Sequence, residues 1–373
     1  MGRSRNAFAV LGLCAIAINL VVILHRELNL QKQLIHPKST APRVKEAVFG
    51  LVHSSHRHHT PFSFLTVASA DEFVNNARLA AMTADHPKDL VLVFVDTMYL
   101  QTFGVWLNYY KQHDNSGRIL CVFAATEHAY EKLGDVFVSP TAQDNFGNVS
   151  ETLLVNLHLG KDVKAVNLKG LWVERIQLLR RIVNAFPSLN VLCTDADAIW
   201  LQDPAQLYNH PQHISSNIVT SKGTYPGMCP LGREDNGDAA TICFGFTYYR
   251  NSPALRTLTL DMVNEISNYK NDDQFAINCV LNNLWVSNDT INIDNKSSMA
   301  DFTLDDGSFV RSFRRDAKEE NGVTQHNMKI SMLPYQQVTR RCDHLEGVVV
   351  AHCLSQKNGN SKMNMFAKYD FLA

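Results

Sequence analysis

A surplus of charge of either sign is the first thing this chain lacks: 35 Lys and Arg stand against 36 Asp and Glu, for a formal charge of -1, and the pI is about 6.9. No long basic run interrupts that balance, so there is no electrostatic footprint for a phosphate backbone, and nucleic acid is set aside as a partner. Internal repeats are missing too, which removes repeat arrays from consideration. Outside the N-terminal apolar stretch, an even set of cysteines is also lacking. With Cys14 inside an apolar stretch, Cys121, Cys193, Cys229, Cys243, Cys279, Cys342 and Cys353 remain, so at least one thiol stays free or pairs between chains. The expected bridges are Cys229 with Cys243 and Cys342 with Cys353, because loop-borne thiols are the accessible ones. Cys121 and Cys193 lie in apolar runs and read as buried thiols.

The N-terminus lacks the small-x-small site at which a signal peptide is cut, since its apolar stretch closes in Ile23-Leu24-His25-Arg26. Position six is Asn6, where a myristoylation motif wants Ser or Thr. What is present is an unbroken apolar run from Ala7 to Leu24 behind Arg3 and Arg5, close to the ~20 residues that cross a bilayer as a helix. The expected organisation is a cytoplasmic tail at 1–6, a transmembrane signal anchor at 7–24, a stem at 25–60 and a lumenal domain at 61–373, with the basic tail kept inside. The stem is polar and carries Pro37 and Pro42. It also holds His53, His56, His58 and His59, which read as solvated rather than metal-binding. The sequons Asn148-Val149-Ser150, Asn288-Asp289-Thr290 and Asn295-Lys296-Ser297 agree with a lumenal location.

At 373 residues and 45% hydrophobic, the chain can bury one sizeable core. Beyond Pro61, helical and strand patterns alternate, the mark of an α/β sheet covered by helices. Leu90–Val95 is a continuous apolar run of the kind that a strand covered on both faces requires. Further strands are expected at Arg118–Phe123, Asn190–Thr194, Ile242–Tyr249, Met328–Met332 and Gly347–Ala351. Helices are expected at Asp71–Ala84, Thr102–Lys111, Thr126–Leu133, Leu171–Phe186, Pro253–Ser267 and Asp273–Leu281.

The strand ending at Thr194 runs straight into Asp195-Ala196-Asp197, followed by Ala198-Ile199-Trp200-Leu201-Gln202-Asp203-Pro204. Ligands of an open parallel sheet gather at the carboxyl ends of its strands. Two carboxylates spaced by one residue at such an exit can grip one divalent cation together with a diphosphate, whose departing charge the ion neutralises. Hard oxygen ligands favour Mn²⁺ or Mg²⁺ over zinc. An Asp-x-Asp on a solvated turn is common and means little, but apolar residues before, between and after these acids put them at the boundary of a core, where charge needs a partner. By the same carboxyl-end argument, Asp96, Thr97 and Tyr99, just past the strand Leu90–Val95, are candidates to hold a nucleotide base and ribose, with Tyr99 stacking on the base.

The helix Leu171–Leu179, the strand, Thr194-Asp195-Ala196-Asp197, the apolar-Trp-Leu step and Asp203-Pro204 together resemble the nucleotide-diphospho-sugar transferase domain of plant rhamnogalacturonan xylosyltransferases and extensin arabinosyltransferases. Asn271-Asp272-Asp273-Gln274-Phe275-Ala276-Ile277-Asn278 is similar to that family's Asp-Gln-x-x-x-Asn helix, and Val348-Val349-Val350-Ala351-His352 to its C-terminal strand. Ala351 interrupts the usual Val-His join, and Cys353 stands where a small polar residue is usual. The resemblance implies a GT-A type, Rossmann-like mixed sheet flanked by helices in a single catalytic domain, with Mn²⁺ dependence and a retaining transfer. It implies His352 as the third metal ligand, Arg175 as the residue orienting Asp195 or the diphosphate, and Lys362 reaching the leaving diphosphate from a loop. Asp273 and Gln274 would contact the transferred sugar, although an acid opening a helix is also a plain cap.

The partners so implied are a UDP-sugar donor, with UDP-xylose ahead of UDP-galactose and UDP-arabinose, and a glycan or glycoprotein acceptor. The location implied is the Golgi membrane, single-pass and type II. An aspartate-nucleophile phosphatase fits poorly, because its acids end the first strand and precede a hydroxyl residue. A non-catalytic, lectin-like protein on the same fold is the other alternative.

Overall fold

The structure, a computed structural model, describes residues 63–76, 89–114, 116–138, 151–159, 168–223, 229, 241–269, 271–291, 302–319, 322–354 and 359–372. The expected anchor at 7–24, the stem with its histidines, and the sequons at Asn148 and Asn295 lie outside them. All described residues belong to one compact unit, Arg57–Ala373. Among them, no helix is long and apolar enough to cross a membrane.

Ten strands form one mixed sheet. In chain order they are β1 (Ser63–Val67), β2 (Leu90–Val95), β3 (Ile119–Ala124), β4 (Glu151–Asn156), β5 (Val191–Asp195), β7 (Ile218–Lys222), β8 (Ile242–Tyr249), β9 (Phe302–Thr303), β10 (Phe309–Glu319) and β11 (Gly322–Leu333), and β6 (Ile199–Trp200) belongs to a second sheet. Across the sheet the order is β1-β4-β3-β2-β5-β8-β7-β11-β10-β9. The first five strands are mutually parallel. β8 then runs antiparallel to both β5 and β7, and β10 and β11 form a long antiparallel hairpin.

β2 is buried at every position, and its residues divide by the two-residue period of a strand. Leu90, Leu92 and Phe94 enter one core, where they meet α4 (Leu168–Ala185), α6 (Pro253–Glu265) and α7 (Asp273–Ile291) through Ile176, Leu179, Leu258 and Ile277. Val91, Val93 and Val95 enter the other, with Phe103, Trp106 and Tyr110 of α2 (Leu100–His113), Leu133 and Phe137 of α3 (Glu127–Val138), and Phe366 of α8 (Gly359–Lys368). The remaining helices are α1 (Ala70–Val74) and α5 (Ala205–Tyr208). Local chemistry fixes several starts: Ser69 caps α1 by accepting from Glu72 N at 3.1 Å, and Ser252 caps α6 ahead of Pro253.

The second sheet is small and decisive for the site. β6 pairs antiparallel with β13 (Val350–Ala351), which pairs parallel with β12 (Val338–Thr339). Ile199 opposes Ala351, so the residue after β13 comes back beside the residues before β6. Arg118 fastens the segment beyond β6: its Nη2 donates to Asp203 Oδ1 at 2.6 Å, its Nε to Tyr208 Oη at 2.8 Å, and its Nη1 to Asp114 Oδ1 at 2.5 Å.

Several expectations are corrected. The first helix is described only as Ala70–Val74, and residues 77–88 lie outside the described set. α7 extends to Ile291, and the strand expected at Met328–Met332 is the end of a twelve-residue β11. β1, β4, β7 and β10 had no sequence expectation. Cys342 pairs with Cys353 as expected, but Cys229 pairs with Cys279 rather than Cys243. The reason is positional: Cys243 lies on β8 between His352 and Arg340, while Cys279 sits on α7. Cys121, Cys193 and Cys243 are buried free thiols.

Candidate active site

β5 ends on Asp195 at the carboxyl edge of the parallel half-sheet, and the turn that follows carries Asp197 into the interior, 5% exposed. The β6–β13 pairing brings His352, also 5% exposed, to the same place from the far end of the chain. His352 Nε2 lies 3.2 Å from Asp197 Oδ1 and 3.6 Å from Asp195 Oδ2. One ligand atom from each of the three falls within 4.8 Å of the others. Two carboxylate oxygens and an imidazole nitrogen are a donor set that suits a hard-to-borderline divalent ion such as Mn²⁺.

The wall behind this cluster is β8 backbone. A Cβ placed on Gly245 would sit 1.9 Å from His352 Cε1 and 2.7 Å from Asp195 Oδ2, so only glycine lets the strand pass so close. A glycine inside an apolar strand is the sequence signal for such an approach, and it was not read at Gly245.

Three cations border the cluster. Lys362 stands on α8, not on a loop as expected, and its buried Nζ donates to Asp197 Oδ2 at 2.5 Å and to the Cys353 carbonyl at 2.7 Å. Burial alone would raise the Asp197 pKa, but Lys362 and then His352 outweigh it and hold the carboxyl well below the usual carboxylate range. Arg175, from α4, donates through Nη1 to Asp195 Oδ1 at 2.8 Å and is paired with Asp273 at the start of α7, stacking over the Phe244 ring. Burial works against its charge, and Asp273 and Asp195 more than restore it. Burial also pushes the Asp273 carboxyl up to about 6, with Arg175 pulling the other way.

The third cation, Arg340, had no sequence expectation, nor did Cys243. Arg340 Nη1 donates to His352 Nδ1 at 2.5 Å and to Cys243 Sγ at 3.2 Å, and Cys243 Sγ lies 3.9 Å from the same Nδ1. Burial would raise the thiol, but Arg340 and His352 bring it down to about 7. A lone arginine after a short strand carries no spacing that would have marked it.

Gln274 follows Asp273, donates its backbone N–H to the Asp273 carboxylate at 2.7 Å, and keeps a buried Nε2 with no hydrogen-bond partner. Asn278, one turn on, bonds both backbone groups of Ile242 and so ties α7 to the start of β8. At the exit of β2, buried Asp96 accepts from Tyr99 N at 3.0 Å, and Thr97 shares a 3.0 Å hydroxyl contact with Thr126 at the exit of β3. Burial raises the Tyr99 phenol, and the negative charges of Asp197, Asp195 and Asp96 raise it further. The structure therefore gathers Asp195, Asp197, His352, Lys362, Arg175, Asp273 and Gln274 into one connected group. Asp96, Thr97 and Tyr99 border it at the same sheet edge.

Residues 162–366, more than half of the chain, match the family model described as nucleotide-diphospho-sugar transferase. Among solved structures, the bifunctional glycosyltransferase WbbM is similar at 13% identity with a TM-score of 0.36, over 53% of this chain and 38% of that one. The glycosyltransferase GlyE of Streptococcus pneumoniae TIGR4 is similar at 13% identity and a TM-score of 0.33, over 52% of this chain and 44% of that one. The galactosyltransferase LgtC, in complex with donor and acceptor sugar analogs, is similar at 14% identity and a TM-score of 0.36, over 52% of this chain and 70% of that one. This chain thus spans less than half the length of the first two. No curated protein matches it.

Proposed function

The chain belongs to the nucleotide-diphospho-sugar transferase family and is a glycosyltransferase; we propose that it is a metal-dependent, retaining enzyme of GT-A type that moves a sugar, xylose first, from a UDP-sugar to a glycan or glycoprotein. The observation that carries this reading is the convergence of Asp195, Asp197 and His352 at the carboxyl edge of the sheet. These three would hold Mn²⁺ or Mg²⁺, which when bound offsets the charge growing on the leaving diphosphate.

The protein's own groups supply the remainder. Asp96, Thr97 and Tyr99 border the place for uridine. Arg175 orients Asp195, and Asp273, fixed by Arg175, presents Gln274, whose unpartnered amide suits a sugar hydroxyl. Lys362 fixes Asp197 and adds positive charge beside the diphosphate. A front-face course, in which a leaving phosphate oxygen accepts the acceptor's proton, needs no protein nucleophile, and none is assigned. The choice of xylose rests on the resemblance to the plant xylosyltransferases.

The apolar run 7–24 would anchor the enzyme as a single-pass type II protein of the Golgi membrane. Two disulfides in one unit support an oxidising lumen. The test is a screen of nucleotide sugars with the chain from Pro61, with Mn²⁺ and with chelator. Metal-dependent release of UDP from one donor, with transfer of its sugar, is the expected result. Nucleotide binding without transfer from any donor would favour the lectin-like alternative.

A further inference from the structure

Arg340 makes a contact that a metal-ligating histidine should not have. A guanidinium has donors and no acceptor, so its 2.5 Å approach to His352 requires Nδ1 to offer its lone pair. The proton of the neutral ring then sits on Nε2, the nitrogen that faces Asp197 and Asp195 and would have to bind the ion. A histidine bound to metal through Nε2 carries its proton on Nδ1 and donates it to a neighbour. The neighbour at hand is Cys243 Sγ, a weak acceptor already within reach. Arg340 and a cation therefore place opposite demands on one imidazole.

A second observation says where the guanidinium would go. Arg340 Nε is buried and has no hydrogen-bond partner, and among the described residues no carboxylate pairs with this arginine. Among the described residues this half-buried cation is held by a thiol and a ring nitrogen, which leaves it short of an anion, and burial makes that shortage costly. A diphosphate offers that anion with paired oxygens that the planar fork of a guanidinium can engage together.

Building on the function proposed above, we propose that Arg340 is a positioning residue that couples the two ligands: the donor's diphosphate draws it off His352, the ring proton passes to Nδ1 facing Cys243, and Nε2 becomes free to ligate. The proton stays on the ring, so the exchange is a change of tautomer with no net proton taken up or lost. Metal and nucleotide then bind tightly only together.

The experiment measures Mn²⁺ binding to the full chain by electron paramagnetic resonance, with and without UDP, and UDP binding with and without Mn²⁺. In the wild-type protein, UDP should tighten Mn²⁺ on the order of tenfold, the size of one hydrogen bond to a charged group. Arg340→Met, which keeps bulk and removes charge, should bind Mn²⁺ alone more tightly than wild type and lose most of the enhancement by UDP. Arg340→Lys should restore part of it. Cys243→Ala should weaken Mn²⁺ in the presence of UDP.

Removal of a nearby positive charge would by itself tighten Mn²⁺ equally with and without UDP, so the loss of the enhancement by UDP is the result that marks coupling. Equal Mn²⁺ affinity in wild type and both Arg340 variants, with the same enhancement by UDP, would overturn the proposal while leaving the transferase reading intact. A wild-type chain that binds neither UDP nor any UDP-sugar would instead sink the functional reading beneath it. If Arg340→Met fails to fold, Arg340→Lys against wild type decides: an unchanged coupling refutes, a reduced one supports.

Discussion

Adding one methyl group at Gly245 is the sharpest perturbation the geometry allows. The new Cβ would lie 1.9 Å from His352 Cε1, 2.5 Å from Nδ1 and 2.7 Å from Asp195 Oδ2, where carbon atoms ordinarily rest about 3.5–4.0 Å apart. The imidazole must therefore retreat by roughly 1.5 Å or more, and ligand bonds tolerate only about 0.2 Å. His352 leaves the ligand set, and Asp195 is displaced with it. The strain belongs to the site: overpacking of this kind costs about 1–3 kcal/mol in stability, while Gly245→Ala should weaken Mn²⁺ binding by at least the 10–100-fold typical of a disturbed supporting contact. The assay is Mn²⁺ titration followed by UDP release at saturating metal. Gly134→Ala is the control, because no atom lies within 4 Å of its added Cβ, and in the middle of α3 it should raise stability by up to about 1 kcal/mol. Wild-type Mn²⁺ affinity in Gly245→Ala, with an unshifted His352 in its crystal structure, would refute the reasoning.

Asp197→Asn should reduce transfer to background. It should also lower the melting temperature, because Lys362 and His352 lose the anion that their burial requires, a change worth about 3–5 kcal/mol for a broken buried pair; an unchanged melting curve would show that the pair adds no stability. Arg175→Met strips Asp273 and Asp195 of their shared partner and should cost a similar ~3–5 kcal/mol, with Arg175→Lys recovering part of it in chemical denaturation. Below the ordinary histidine value of 6.5, stability should fall with pH through His213 and Asp306, which lie 3.0 Å apart. Burial lowers the His213 pKa, and Asp306 is held low as Ser308 and His213 outweigh its burial. The unfolded chain thus binds the extra protons first, the loss continues down through the lowered Asp306 value, and His213→Gln should flatten that slope in melting curves taken across pH. Cys342→Ser opens a bridge of sequence separation 11, which should cost about 3 kcal/mol and weaken Mn²⁺ binding, since Cys353 adjoins His352.

The acidic half of the site was legible because its signal is local. A run of buried aliphatics ending in Asp-Ala-Asp says in a few consecutive residues that charge meets core, and β2, β5 and β8 follow from apolar runs of the same kind. His352 came from the family resemblance, since nothing near it in the chain reports that β13 returns to β6. Arg340 and Cys243 stayed hidden for a related reason: their contact joins β8 to the residue after β12, 97 positions on, and neither stands in a pattern. The expected pairing of Cys229 with Cys243 rests on loop-borne thiols being accessible, whereas Cys243 is buried within β8. Cys229 is 50 residues from its true partner, Cys279. β1 and β4 escaped notice because each is short and flanks stretches with no clear period, so that only pairing with β3 and with each other makes them strands.

Because one ligand of the candidate centre follows directly on β13, a ribosome finishes the acids long before the histidine. A nascent chain that has passed Asp197 but not His352 presents two carboxylates and no imidazole, with Lys362 still unmade. Such an intermediate can fold much of its parallel half-sheet yet lacks the third side chain of the cluster, so it would hold a cation only weakly. The arrangement makes competence a late event in the life of each molecule, reached only when His352 and Lys362 close on Asp197.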